Sequence, residues 1–246
     1  MKYFKTLIAA LMTLVMVSCS FTEKMTMNED GTGRLSLSFD GSELMSSMGG
    51  LGGDEQDGEE EKIDSIIDFK EFMNEYKDSI ATLSAEDQAK FKALEPFKMR
   101  IQMDEAEGLF MFDMFSDFEN ISEVNNIQDA FNNVSNIMGD GQAQQQNNSQ
   151  ESAKVEYSFE GNTFIRDAYI IDAEKYSAQL DSLASMEMFL AGSTYTLEYT
   201  FPRKIKSVNV EGYTLSEDGK TLYYEVDYMA YMKDPNIMDL QVDLED

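Results

Sequence analysis

Alternation of apolar and polar residues predicts β-strands near both ends of the chain. Met25 and Met27 alternate with polar residues, and apolar residues alternate again over 35–39, after a turn at 28–33. Alternation with a period of two is typical of a strand with one buried face, so this segment predicts a β-hairpin. The same pattern recurs later in the chain, over 97–103, 155–167, 194–201, 205–210, 213–226 and 238–244. Residues 109–115 are almost all apolar and predict a strand that is buried on both faces, or nearly so.

Apolar residues at helical spacing separate some of these strands. From Ile63 to Leu83 they recur every three or four positions, which predicts a helix. A second helix is expected to begin after Ser84, a residue type that caps helix N termini, and to end before Pro96. Further helices are predicted over 118–137, over 173–190 and in a short segment through Met232.

Two polar stretches interrupt these elements. Residues 41–62 are rich in Gly, Ser and acidic residues, and residues 138–153 are rich in Gln, Asn and Ser. Both compositions predict flexible segments. The order of elements predicts an α+β fold in which an antiparallel β-sheet is built from both ends of the chain and helices are inserted in the middle. We expect residues 19–246 to form a single domain.

The amino terminus predicts export and a lipid anchor. Lys2 and Lys5 precede an apolar run of about twelve residues, which is shorter than the roughly twenty that span a bilayer. Such a run is typical of a secretory signal peptide. Its end, Met16-Val17-Ser18-Cys19, resembles the lipobox of bacterial lipoproteins. The resemblance implies cleavage between Ser18 and Cys19, so that 1–18 are removed, and attachment of diacylglycerol to the Cys19 thiol.

The resemblance to lipoproteins also implies a location. Ser20 follows the predicted lipidation site where an aspartate would favour retention in the inner membrane. We therefore expect the body to lie in the periplasm, held to the outer membrane by its lipid; display on the cell surface is the alternative. The membrane is then the first partner, through the anchor.

Composition excludes several functions. The chain has 47 acidic and 19 basic residues and a net charge of −28, which opposes binding to nucleic acids. It has no histidine, and its one cysteine is Cys19. Catalytic pairs that use histidine or a thiolate, and the usual zinc sites, are therefore excluded. Carboxylate or lysine chemistry and calcium or magnesium sites remain, and we predict no cofactor.

Three clusters suggest binding sites. Asn28 to Gly31 resembles a calcium loop, but Thr26 and Leu37 occupy positions that should carry ligands, so a hairpin turn is the better interpretation. The 18 methionines suggest Cu(I), although most follow the periodicity of core residues. A basic cluster could contact an anionic lipid or protein, or pair with acids of the same chain; its members are Arg203, Lys204 and Lys206.

The two ends of the chain resemble lipoproteins of the LppM type. The similar features are the turn Asp30-Gly31-Thr32-Gly33, the strand from Tyr195 to Pro202, and the hairpin turn Asp218 to Thr221. They cover about 22–40 and 193–227. The resemblance implies no enzymatic activity, and one branch of the family is associated with glycolipid binding.

Three hypotheses follow for function. The first is a non-catalytic, lipid-anchored module that binds another envelope component. The second is a lipid or glycolipid carrier, in which helices over 63–95 and 118–137 cover an apolar pocket on the sheet. The third is a hydrolase that uses carboxylates alone, for which the sequence singles out no pair of acids.

Overall fold

A computed structural model describes residues 19–49, 62–125, 152–183 and 187–246. The predicted signal peptide lies outside these residues, as do 50–61 and 126–151, which contain most of the two polar stretches.

Twelve strands of the described residues form two sheets. The larger sheet has eight strands in the order β10-β11-β8-β1-β2-β5-β4-β3, and the smaller has four in the order β6-β7-β12-β9. The strand bounds are β1 Ser20–Met27, β2 Gly33–Asp40, β3 Lys62–Asp68, β4 Lys98–Asp104, β5 Leu109–Phe118, β6 Ala153–Glu160, β7 Thr163–Ile170, β8 Thr194–Thr200, β9 Ile205–Val208, β10 Thr214–Leu215, β11 Thr221–Asp227 and β12 Leu240–Leu244.

Strand β1 lies near the centre of the larger sheet and joins the two ends of the chain. It pairs antiparallel with β2 and parallel with β8. All the other strand pairs of the described residues are antiparallel. The predicted α+β fold, with a sheet built from both ends of the chain, is therefore confirmed, and the sheet is antiparallel except for the β1–β8 pair.

Helices are spread along the chain rather than confined to its middle. Their bounds are α1 Ser42–Gly49, α2 Phe69–Glu75, α3 Lys77–Ile80, α4 Ala85–Ala93, α5 Ala173–Leu183, α6 Glu187–Leu190 and α7 Tyr228–Lys233, and a 3₁₀ helix follows at Pro235–Met238. The Ser84 side chain accepts a hydrogen bond from the Asp87 amide and caps α4, as predicted. No helix in the described part of the chain has both the length and the hydropathy that crossing a bilayer requires.

The core lies between the two sheets. Met25, Leu35 and Leu197 of the larger sheet are buried, as are Phe164 and Val242 of the smaller one, and all belong to one apolar cluster. We call the side of the larger sheet that carries this cluster the inner face. Alternation places the odd residues of β1, β2 and β8 there.

The predicted helix from Ile63 to Leu83 is wrong in its first third. Residues 62–68 form β3, an edge strand that pairs with β4, and the helix begins only at Phe69. Ile63 and Ile67 fit both periods, because residues four apart share a face of a helix and also a face of a strand. Pairing of Ile63 with Met103 and of Ile67 with Met99 decides for the strand.

Other boundaries also differ from the sequence predictions. Residues 42–49 form helix α1 where a flexible linker was predicted. Of the helix predicted over 118–137, only 121–125 belong to the described residues and are helical, because β5 extends to Phe118. Met238, predicted to begin the last strand, instead ends the 3₁₀ helix.

Candidate functional site

The inner face is not covered evenly. Where Met25, Leu35 and Leu222 lie, the side chains are buried. Towards the end of the sheet where β1 begins, several inner-face side chains of β1 to β5 are apolar but only partly buried. We call this surface the apolar platform, and it consists of Phe21, Phe39, Phe110, Phe112, Ile101, Met103 and Ile63.

Strand register makes the platform continuous. Phe39 of β2 is opposite Phe112 of β5, which is in turn opposite Ile101 of β4. Beside this row, Phe110 is opposite Met103, which is opposite Ile63. Cross-strand neighbours on one face lie within contact distance, so these side chains form a single apolar surface across four strands.

Aromatic contacts connect the platform to helix α7. The Phe39 and Phe110 rings meet edge to face at 6.1 Å, and the Phe21 and Phe39 rings are 5.0 Å apart. Tyr228 of α7 stacks on Phe21 with ring centroids 4.2 Å apart. The Asp227 side chain fixes the start of α7, because it accepts a hydrogen bond from the Ala230 amide.

A buried carboxylate lies beside the platform on the inner face of β1. Glu23 is 0% exposed, and it accepts hydrogen bonds from three tyrosines. Tyr157 donates to Oε1 at 2.6 Å and Tyr195 donates to Oε2 at 3.0 Å, while Tyr199 also donates to Oε1. Hydrogen bonds of this kind stabilise an ionised carboxylate that has been removed from water.

Arg166 of β7 supplies the opposite charge from the second sheet. It is also 0% exposed, and its Nη2 lies 3.4 Å from Glu23 Oε2. Its Nη1 donates to the Met238 carbonyl at 3.2 Å, whereas its Nε has no hydrogen-bond partner among the described residues. Two buried charges of opposite sign thus join the two sheets at their centre.

The tyrosines of this cluster titrate abnormally. Burial raises the pKa of Tyr157, Tyr195 and Tyr199 well above the usual value, and the charge of Glu23 raises it further. Burial alone would lower the pKa of Arg166, but the Glu23 carboxylate and the surrounding tyrosines together raise it above its usual value. Arg166 therefore stays a cation and the tyrosines stay neutral donors at physiological pH.

The Glu23–Arg166 cluster was not predicted from the sequence, although the sequence contains a signal for it. Glu23 shares the two-residue alternation of Met25 and Met27, and Arg166 lies between Phe164 and Ala168 on the inward side of its strand. A charged residue at an inward position of an amphipathic strand requires a partner. Their pairing, across 143 positions of sequence, was visible only in the fold.

Cys19 lies at the platform end of β1. The thiol is buried, with 2% of the residue exposed. Its backbone amide donates to Ser193 Oγ at 3.2 Å, and its carbonyl accepts from the Thr194 amide at 3.1 Å. Burial raises the pKa of the thiol, and the charges of Asp40 and Glu43 raise it further.

The predicted basic cluster lies at the opposite end of the sheet. Arg203 Nη1 donates to Asn162 Oδ1 at 2.8 Å and to the Glu245 carbonyl at 3.1 Å, and Arg203 Nε lies 3.9 Å from Glu29 Oε2. Lys204 and Lys206 are exposed. Arg203 thus contacts acceptors of its own chain, and the role of the cluster stays a prediction.

The other sequence candidates are explained by the fold. Asp30 Oδ1 accepts hydrogen bonds from the amide and the hydroxyl of Thr32, as expected for a hairpin turn, and Gly31 there has φ of 84°. Met25, Met27 and Met114 are buried in the apolar core. No group of three or more Cys, Asp or Glu side chains in the described ranges is arranged to hold a metal ion.

Comparisons with known proteins give little further information. No protein family matches the chain, and no curated protein matches it. Among solved structures, the chain is similar to the NMR structure of the folded domain of the Mycobacterium tuberculosis LppM protein. The similarity covers 93% of this chain and 91% of that one, with 10% identical residues and a TM-score of 0.38.

Proposed function

We propose that this chain is a lipid-anchored, non-catalytic module of the cell envelope, and that it binds another envelope component through the apolar platform. The observation that supports this proposal is that the seven apolar side chains of the platform, four of them phenylalanines, are partly exposed. Elsewhere on the same face, side chains such as Met25, Leu35 and Leu222 are buried. Continuous apolar surface of this kind marks binding sites in exported and soluble proteins.

The chemistry of the platform fits a binding surface. Phenylalanine and methionine are enriched in the buried centres of protein interfaces, where charged residues are depleted. The platform has no charged member, although the chain as a whole is strongly acidic. Its rings are held by contacts with each other and with Tyr228, so little side-chain freedom would be lost on binding.

The anchor and the location are part of the same proposal. The signal peptide and the lipobox-like sequence support lipidation of Cys19, with the body on the periplasmic side of the outer membrane. Each buried methylene of an acyl chain contributes about 0.8 kcal/mol to membrane binding, so two or three chains give a stable anchor. Display on the cell surface is the alternative.

A second candidate is a lipid or glycolipid carrier. It is favoured by the position of the platform, which adjoins Cys19 and therefore the proposed anchor. An acyl chain could lie across the apolar side chains of Phe39, Phe110 and Met103. A hydrolase would instead require two carboxylates in an accessible cleft, and Glu23 is enclosed between the sheets.

Photo-crosslinking from two adjacent positions distinguishes these functions. A benzoyl-phenylalanine replaces Phe110 on the platform or, as the matched control, Met111, which lies on the opposite face of the same strand. The full-length protein is irradiated in its native envelope, and the adducts are identified by mass spectrometry. Adducts to one protein from position 110 and none from position 111 would support the binding module.

Other outcomes decide between the alternatives. An adduct to a lipid from position 110, retained when Cys19→Ala removes the protein's own anchor, would identify a carrier. Equal yields from positions 110 and 111 would show that the platform is not a binding surface. Loss of membrane association in the Cys19→Ala variant tests the anchor separately.

A further inference from the structure

The predicted anchor is joined to the folded body without a spacer. Strand β1 begins at Ser20, the residue directly after Cys19. Consecutive Cα atoms are about 3.8 Å apart, so the first residue of the sheet is held at that distance from the lipidated one. Both the amide and the carbonyl of Cys19 are hydrogen-bonded to the loop before β8 and to its first residue. This end of the body therefore cannot move away from the membrane surface.

Two exposed isoleucines, Ile170 and Ile171, lie at the same end of the body as Cys19, as the packing of β7 shows. Phe164 contacts Tyr199 and Phe201 at the far end of the larger sheet, and Arg166 reaches Glu23 near its middle. Strand β7 thus runs towards Cys19 as its residue numbers rise. Ile170 is four residues beyond Arg166, and Cys19 is four residues from Glu23 in the same direction. At about 3.3 Å per residue, both lie about 13 Å from the Glu23–Arg166 pair.

Contacts between helices place the isoleucines independently. Helix α5 begins two residues after Ile171, and its Tyr176 hydroxyl donates to the Met232 carbonyl of α7 at 2.7 Å. Helix α7 begins at Tyr228, whose amide donates to the Ser193 carbonyl at 2.9 Å. Ser193 is the residue whose hydroxyl accepts from the Cys19 amide. The segment from Ile170 to α7 therefore borders the Cys19 end.

These isoleucines are exposed to a degree that the core does not explain. Ile170 is 43% exposed and Ile171 is 52% exposed. We infer that the end of the body that carries Cys19 lies directly against the lipid bilayer, with Ile170 and Ile171 in contact with lipid. The inference rests on the lipidation of Cys19 proposed above. Asp172 and Glu174 follow directly, so the surface that fits is one of zwitterionic headgroups rather than anionic ones.

Tryptophan fluorescence tests this orientation, because the chain contains no tryptophan. Ile171→Trp places one reporter at the proposed contact. Leu215→Trp is the matched control: Leu215 is 40% exposed, and it is opposite Leu222, which pairs with Tyr199 away from Cys19. Each lipidated protein is inserted into phosphatidylcholine vesicles with or without bromine on the acyl chains, and Ile170→Trp serves as a second reporter.

We expect brominated lipid to quench the fluorescence of a tryptophan at position 171 or 170, and vesicles to shift its emission to shorter wavelength. The fluorescence of the tryptophan at position 215 should stay unchanged. Equal quenching at 171 and 215, or no quenching at 171 and 170, would overturn the inference. Mass spectrometry of the same samples reports the lipid on Cys19. An unquenched but lipidated protein would refute the orientation alone, whereas an unmodified Cys19 would refute the anchor and the orientation together.

Discussion

Removing either charge of the Glu23–Arg166 pair should destabilise the fold strongly. Glu23→Gln leaves Arg166 buried without an opposite charge, and it turns an amide nitrogen towards donors of the cluster. Arg166→Met leaves the Glu23 carboxylate without its cation, although its three tyrosine donors remain. Both residues are 0% exposed, so water cannot replace the lost partner.

The expected loss follows from burial. Breaking a fully buried ion pair from one side costs about 3–5 kcal/mol, because an uncompensated charge remains in the core. Small domains are stable by about 5–15 kcal/mol, so each single variant should retain only part of its stability. In the double variant Glu23→Gln/Arg166→Met no unpaired charge remains. We expect it to lose less than the sum of the two single losses, by about 1–3 kcal/mol.

Urea unfolding of the Cys19→Ala protein without residues 1–18 measures these differences. Tyrosine fluorescence and circular dichroism report the transition, and the midpoint and slope give the free energy of unfolding. Glu198→Gln is the matched control on the outer face: Glu198 pairs with Lys24 at 3.1 Å, and the two side chains are 31% and 47% exposed. It should cost at most about 1 kcal/mol.

Two results would refute the reasoning. Strictly additive losses in the double variant would show that Glu23 and Arg166 do not interact in solution. Losses from Glu23→Gln no larger than those from Glu198→Gln would show that the carboxylate is in contact with water, and that the two sheets do not close over it.

Three further predictions test other parts of the structure. Because burial raises the pKa of Tyr157, Tyr195 and Tyr199 in the folded state, absorbance titration should show them neutral above the usual tyrosine pKa of about 10. The stability that they contribute is fully present below that pH and falls as pH rises through the folded-state values, whereas in urea all the tyrosines of residues 19–246 should ionise together. Gly33→Ala places a Cβ against the Thr26 carbonyl and the Phe118 ring and should cost about 1–3 kcal/mol in urea unfolding; an unchanged midpoint would contradict the packing of the first hairpin. Asp227→Ala removes the cap of α7 and should cost about 1 kcal/mol, and Asp227→Asn should restore most of it; equal losses in both variants would mean that the cap is not formed.

Local pattern predicted much of the secondary structure. The hairpins at 25–39 and 213–226 and the strand over 194–200 are present because alternation and turn residues agree there. The prediction was wrong at 63–68, where the spacing of the isoleucines fits both a helix and a strand. Pairing with β4 decided for the strand. The prediction also missed helix α1, because the composition of 42–49 resembles that of the Gly-rich and acidic sequence that follows it.

The sequence by itself determined which residues share a face of each strand, the acidic charge, the absence of histidine and the candidate lipid site at Cys19. Only the tertiary structure decided what covers each face. The same alternation produces the buried Leu35 and the partly exposed Phe39 on one face of β2, and the difference depends on the distant segments that pack against each side chain. The tertiary structure also brought Glu23 next to Arg166, and it placed Ile170 and Ile171 at the end of the body that carries Cys19. The physical reason is that periodicity is a local property of the chain, whereas burial and ion pairing depend on segments that are distant in sequence.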